Sequence, residues 1–339
     1  MRRRNTYHQV YSRNGLRLES RYAVMPKKNH IHVAVGNLNI DITLYVDRIP
    51  KPNHPLMAHD AFIGAGGAAS NYAVAVTYYG HIAYLIASTS SYSFVDYVLE
   101  ELNSIGVRTD YVKRVEGIPG IVSILVGSNG DKVMVKHRGV NSLLSPNDVP
   151  RELLERASIV HIASVEPSVA LEIARRANSL GVLVSYDPGG DVFEARDIVL
   201  KTISYVNILF LNRAEAKALA GPDPSKLLNR GPWVVVVKRG SVGAYVLGPG
   251  DVVYHGISKP IKKPVDSTGA GDAFAAFFNS MYLDSRDIGK ALQYGLAAAA
   301  LKVACRGSRL CYNKTLFNKQ LAETMVELLK NPPEWILED

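Results

Sequence analysis

Apolar residues along this chain recur in two patterns, and the pattern changes near residue 158. Beyond that point Ile159–Ile162, Leu183–Tyr186, Ile208–Leu211 and Val234–Lys238 are short, β-branched apolar runs, separated by helical periodicity near 167–179, 191–204 and 213–220. Continuous apolar strands alternating with helices predict a parallel sheet covered on both faces. Upstream, Ile31–Leu38 and His81–Ile86 read as strands of the same kind, Gly64-Ala65-Gly66-Gly67 opens a helix to about Tyr79, and Ser93 starts another that stops at Gly106. Residues 43–46, 121–126 and 132–137 alternate apolar and polar, and Gly127-Ser128-Asn129-Gly130 joins the last two with no helix between them. An Asn-Gly turn between alternating runs predicts a hairpin, and so a small β-sheet apart from the main one. From Gly269 onward the pattern predicts helices over 269–283, 287–303 and 315–330.

Ligands in open α/β sheets bind beyond the carboxyl ends of the parallel strands. Asn39-Ile40-Asp41, Glu166, Asp187 and Asn212 all fall just after a predicted strand. Each alone reads equally as a helix cap or turn residue; four at one level point to a site.

Composition narrows the class. With 339 residues, 47% hydrophobic and 21% charged, the chain can build one large core. No apolar run reaches membrane-spanning length and no apolar segment follows the basic start, so neither a transmembrane helix nor a secretory signal is expected. The net charge of +8 suggests a polyanion partner until its distribution is read: residues 1–30 hold eight Arg and Lys against Glu19 alone. The basicity belongs to a tail, expected to be a disordered leader or residues upstream of a start at Met25, so nucleic acid is not the expected partner. The domain is expected over 31–330, with 331–339 a short tail. Cys305 and Cys311 make neither a disulfide framework nor a zinc site; reduced thiols in a cytoplasmic protein are expected, with a six-residue loop disulfide as the alternative.

The chemistry concentrates in Val265-Asp266-Ser267-Thr268-Gly269-Ala270-Gly271-Asp272-Ala273-Phe274, ahead of an apolar helix. Gly269, Ala270 and Gly271 let a phosphate approach the main-chain N–H groups at a helix N-terminus, where the dipole favours an anion. Asp272, in the first turn, is placed to accept a proton from an attacking hydroxyl.

This string resembles the C-terminal signature of the PfkB/ribokinase family of carbohydrate kinases, and the resemblance runs over about residues 31–320. Gly36-Asn37-Leu38-Asn39-Ile40-Asp41 resembles the family's first strand end, whose Asn and Asp hold substrate hydroxyls. Gly66-Gly67-Ala68-Ala69-Ser70-Asn71 resembles its di-glycine signature, with Gly66, Gly67 and Asn71 lining the substrate. Asn212-Arg213-Ala214-Glu215 matches Asn-x-x-Glu, which organises Mg²⁺ and phosphates, with Glu215 acting through metal-bound water. Lys238-Arg239-Gly240-Ser241-Val242-Gly243 matches the loop near the nucleotide, so Asn212, Lys238, Gly240, Gly243, Thr268, Gly269 and Gly271 are expected to bind it. The resemblance implies a three-layer α/β/α domain with a mostly parallel sheet and a β lid over the substrate, a homodimer formed through the lid, ATP or another nucleotide as donor, Mg²⁺, and a K⁺ site at Asp266 as in some relatives. Helix 291–303 and the turn Arg306-Gly307-Ser308 are expected to flank the adenine.

The acceptor is less legible. Ala68 replaces the lysine of the ribokinase motif, whereas Glu166 matches a sugar-contacting glutamate. Arg138, at the end of a lid strand, suits a carboxylate or phosphate and favours a sugar acid or phosphosugar: 2-keto-3-deoxygluconate, ribose-1-phosphate or fructose-6-phosphate. A nucleoside is the alternative, with Tyr45, Phe62 and Tyr72 as a slot for its base. A catalytically idle binding protein on this fold is argued against by the intact Asp272, glycines, Asn212 and Glu215.

Overall fold

The computed structural model describes residues 29–129 and 131–329. The expectations for the basic leader up to residue 28 and for the tail 331–339 lie outside the described residues.

The chain opens with β1 (Ile31–Gly36), whose apolar side chains are buried on both faces, and turns directly into β2 (Asn39–Val46). After the proline-rich stretch comes β3 (Asp60–Gly66), then α1 (Ala68–Tyr79), β4 (Ile82–Ile86), β5 (Ser88–Ser90), α2 (Phe94–Ile105) and β6 (Lys113–Val115). The hairpin β7 (Gly120–Gly127) and β8 (Lys132–His137) follows, and α3 (Arg151–Arg156) leads back to the main sheet. There β9 (Ile159–Ala163), α4 (Pro167–Ser179), β10 (Leu183–Asp187), α5 (Asp191–Glu194), α6 (Arg196–Ile203), β11 (Ile208–Asn212), α7 (Arg213–Ala220) and β12 (Val234–Lys238) alternate as the pattern predicts. The chain ends with β13 (Ala244–Gly248), β14 (Val252–Ser258), α8 (Ala270–Ser285), α9 (Ile288–Lys302), α10 (Lys314–Ala322) and β15 (Thr324–Leu329).

Two sheets result. The main one runs β15-β14-β13-β12-β11-β10-β9-β1-β4, parallel from β12 to β4 and antiparallel at the other end. One core lies against α1, α2, α8, α9 and α10, the other against α3, α4, α6 and α7. Val235 and Val237 face one core while Val234 and Val236 face the other, which is why β12 reads as an unbroken apolar run. The second sheet, β3-β2-β7-β8, is the lid. No helix among the described residues is long and apolar enough to cross a membrane.

Several sequence expectations are corrected here. The helix expected over 315–330 ends at Ala322, and Thr324–Leu329 pairs antiparallel with β14; its terminal apolar residues satisfy either period, and an open sheet edge decides for the strand. Strand β3, which precedes the Gly-Gly motif, and the β13–β14 hairpin carry too little alternation to be read from sequence. The helical segment 191–204 is broken at Ala195 into two helices. Cys305 and Cys311 form a disulfide, their Cα atoms 5.8 Å apart across the α9–α10 loop; spacing alone does not say whether a turn will bring two thiols together.

A chain of buried polar groups crosses the core next to α1. Asp284 meets His81 at 3.1 Å, His81 meets His32 at 3.0 Å, His32 meets the Tyr72 hydroxyl at 2.8 Å, and Asn279 links that hydroxyl to Ser185 and hence to His161. Tyr72 is fully buried and stacks on His161 at 3.9 Å, so it is a core residue and not a slot for a base.

Candidate active site

The carboxyl ends of five parallel strands and the head of α8 bring the sequence-predicted residues together. β10 ends on Asp187, β11 on Asn212 and β12 on Lys238. Asn212 caps α7 in a reciprocal box: its side chain accepts from the Glu215 N–H, and Glu215 accepts from the Asn212 main chain at 2.7 Å and from its amide at 2.6 Å. Both Glu215 oxygens are thus held, which suits a carboxylate that meets a cation through water. The Lys238 ammonium donates to Asp187 at 2.6 Å and lies 3.3 Å from where a Cβ on Gly271 would sit. Burial pushes that ammonium down, but Asp187, Glu215 and Asp272 hold its pKa above the ordinary lysine value. Burial and the Asp187 charge raise the pKa of Glu215. Three carboxylates against one ammonium leave an excess of negative charge, which a divalent cation would offset; among the described residues no three acidic, His or Cys side chains converge to cage one, so an ion here would take its remaining ligands from phosphate oxygens and water, as Mg²⁺ does.

At the head of α8, Gly269 adopts a left-handed conformation with φ 78°. A Cβ there would lie 1.7 Å from the Ser308 carbonyl oxygen, so only glycine lets the turn rest on the 306–308 loop. The Ala270 N–H donates back to the Ser267 carbonyl at 3.3 Å, closing the turn, and Asp272 stands in the first helical turn that follows. Asn71, on α1, donates to its Oδ2 at 2.8 Å. Burial raises the Asp272 carboxyl to about 6, with the Asn71 bond and Lys238 pulling it down and Asp187 pushing it up.

The acceptor side is built on the lid. Asp41, in β2, is 3% exposed and is raised to about 6, chiefly by burial, with Ser308, Arg309 and Lys136 acting to lower it. Its carboxylate lies against Gly66, whose absent side chain would otherwise sit 2.0 Å from it. Asp41 Oδ1 and Asn71 Oδ1 are buried acceptors without a partner. Such atoms are costly unless a donor arrives, and the hydroxyls of a polyol are donors of that kind. Asn39 accepts from Asn141 at 2.7 Å. Asn141 was missed in the sequence because it lies far along the chain from Asn39; Asp187 was placed at the level of the site but given no role, being indistinguishable from a turn residue, and Ser308 was expected beside a base and not beside Asp41.

Two predicted residues stand at the rim. Glu166 is exposed and caps α4, its Oε2 accepting from the N–H groups of Ser168 and Val169. Arg138 is half-exposed and lies 3.7 Å from Asp191. Gly240 and Gly243 bound the short turn after β12, and Gly67 starts α1. The Arg306-Gly307-Ser308 turn, expected to flank a base, also meets the lid: Arg306 pairs with Asp60 and stacks over Tyr45, and the Gly307 N–H donates to the Tyr45 hydroxyl at 2.9 Å. Lys132 on β8 donates to Thr268 at 3.1 Å, fastening the lid to the turn ahead of α8.

The chain as a whole is similar to known proteins. Residues 30–315 match the model of the pfkB family carbohydrate kinase. An ATP-dependent ribose-1-phosphate kinase of Halopiger xanaduensis is 33% identical over 280 residues, which cover 82% of this chain and 93% of that one. The mouse ribokinase is 28% identical over 296 residues, covering 83% and 91%. The structure of Arabidopsis thaliana ribokinase complexed with ribose and ATP superposes with a TM-score of 0.73 at 25% identity, covering 86% of this chain and 98% of that one.

The two glycines of the turn should respond differently to substitution. Gly269→Ala is expected to destabilise the fold by about 2 kcal/mol or more through the left-handed backbone and the Ser308 clash. Gly271→Ala, inside the helix and facing only the end of a flexible lysine, should be neutral or stabilise by up to about 1 kcal/mol. Urea denaturation of both variants measures this.

Proposed function

The chain belongs to the pfkB family of carbohydrate kinases, phosphotransferases that act on hydroxyl groups, and on that basis we propose that it transfers the γ-phosphoryl group of ATP to a hydroxyl of ribose-1-phosphate. The observation that carries the chemistry is Asp272, held by Asn71 in the first turn of a helix that opens on the left-handed Gly269.

Asp41, Asn39 and Asn71 hold the sugar hydroxyls, the unpartnered Asp41 and Asn71 oxygens accepting from them. Asp272 accepts the proton of the attacking hydroxyl as its oxygen bonds to the γ-phosphorus and ADP leaves. The N–H groups of Gly269, Ala270 and Gly271 stabilise the charge on the transferring group. Lys238, Asn212, Thr268 and the Gly240–Gly243 turn hold the nucleotide phosphates. Asp187 and Glu215 are the residues that would hold Mg²⁺, Glu215 through water, and the bound ion would screen the phosphate charges. The lid, fastened at Tyr45 and Lys132, excludes water as a competing acceptor. The reading keeps the enzyme in the cytoplasm, where ATP is available.

Removing the base should be decisive. Asp272→Asn should fold and bind ATP yet lose about 10²–10⁴-fold in kcat, and a variant keeping more than about a tenth of the rate would refute the assignment. Because Asp272 must be ionised to accept a proton, kcat/KM should fall as pH drops below about 6, by one to two log units per pH unit since Asp41 titrates in the same range.

An anionic acceptor is favoured by the lid. Lys136 shares a face of the sheet with Asp41 and Val122, and its charge acts on Asp41; Arg138 lies at the same end. A coupled ADP-release assay over ribose, ribose-1-phosphate, 2-keto-3-deoxygluconate, fructose-6-phosphate and nucleosides should rank ribose-1-phosphate first. Lys136→Ala should raise its KM about tenfold, the effect of one charge-assisted hydrogen bond, with little change on neutral ribose.

The outer face of the lid exposes Ile63, Val133 and Val135 at 52%, 43% and 67%. An apolar patch of this kind suits coverage by a second copy, so a homodimer through the lid is part of the reading. Sedimentation should find a dimer that Val135→Lys converts to monomer.

A further inference from the structure

The family resemblance implies a monovalent cation at Asp266, and the structure places a lysine there. Lys302, on the last turn of α9, is 0% exposed. Its Nζ donates to the main-chain carbonyl of Asp266 at 2.8 Å. The next residue along, Val303, accepts on its carbonyl from the N–H groups of Val265 and Asp266 at 2.7 and 3.0 Å. The side chain of Asp266 turns back on its own loop, Oδ1 accepting from the Thr268 N–H at 2.8 Å, while Oδ2 is buried with no partner. Thr268 and Gly269 follow at once, so whatever fixes Asp266 also fixes the turn that presents the anion-binding N–H groups.

A buried ammonium persists only where negative charge or oxygen acceptors compensate it. Here the compensation is the Asp266 carbonyl, with the nearby carboxylate acting to keep the lysine charged against its burial. Carbonyl and carboxylate oxygens at a loop are also what a monovalent cation would need, and an ammonium ion matches K⁺ in charge and in its preference for such oxygens. With the ε-ammonium bonded to the Asp266 carbonyl, the residues present do not fit a K⁺ ion at that carbonyl as well. We propose that Lys302 is a built-in replacement for the monovalent cation, so that the anion-binding turn of this protein is organised without K⁺. Lys302 is a positioning residue: it touches neither the reacting atoms nor the nucleotide, and acts through the main chain of Asp266 on Thr268 and Gly269.

The inference rests on nucleotide binding at this turn and not on the acceptor, so its test uses ADP alone. ADP is titrated calorimetrically into the full chain in tetramethylammonium chloride and in KCl at equal ionic strength. The affinities of the unaltered protein should agree within about twofold. Lys302→Ala, which removes the charge and leaves space, should bind ADP about tenfold more weakly without K⁺ and recover saturably as K⁺ or Rb⁺ is added. Lys302→Met, which removes the charge but fills the space, should be weakened equally in both salts. A merely structural lysine would not create a cation dependence. A tenfold or larger K⁺ effect on the unaltered protein overturns the proposal, as does Lys302→Ala binding ADP normally without any such cation. If Lys302→Ala does not fold, the two-salt comparison on the unaltered protein decides by itself. A wrong acceptor would leave every one of these measurements standing.

Discussion

Asp187, Glu215 and Asp272 come from one strand end and two helix starts, and they stand together because the Lys238 ammonium lies among them. Without it, the three carboxylates would repel one another unscreened, since burial and the Asp187 charge already push Glu215 and Asp272 upward. The parallel sheet makes the encounter possible: β10, β11 and β12 end at the same level, so Asp187, Asn212 and Lys238 arrive as neighbours although 25 or more residues separate each from the next. The same contact sets Lys238 against Gly271, which ties the charge balance to the anion-binding turn.

The lid depends on that turn in a second way. Row by row, β2 and β7 carry Asp41 with Val122, Thr43 with Ile124 and Tyr45 with Val126. One end of this face presents Asp41 to the acceptor site, and the other end binds Gly307 through Tyr45 and Thr268 through Lys132. A rigid sheet held at its far end keeps the near end in place, so the lid contributes positioning as well as cover. The Cys305–Cys311 disulfide closes the loop that carries Gly307 and Ser308, restricting the segment on which both the lid and Gly269 rest.

Two lysines therefore hold the site from opposite sides. Lys238 works through side-chain charges at the strand ends, and Lys302 through the main chain behind the turn. Both are costly residues to bury, and in each case oxygen atoms of the site supply the compensation. That arrangement sets one ammonium on side-chain carboxylates and the other on a main-chain carbonyl, both close to the turn that opens α8.

The sequence by itself determined the sheet's parallel half, the separate lid and the string around Asp272, because these rest on local signals: unbroken apolar runs, alternation and glycines at a helix start. It also singled out Asn39, Asp41, Asn71, Asn212 and Lys238 as candidates through motifs whose spacing is short. Only the tertiary structure decided the rest. The last apolar stretch became β15 because β14 offered an open edge, and Cys305 met Cys311 because the α9–α10 loop folds back. Tyr72 left the site for the core because His32 and His161 receive it there, and Glu166 spends its carboxylate on a helix cap. Lys302 is a residue of an apolar helix in sequence and a charge behind the active site in space. Local pattern fixes which way a side chain faces along its own element; which distant group it meets is settled by packing, where contacts between residues far apart in the chain compete for the same space.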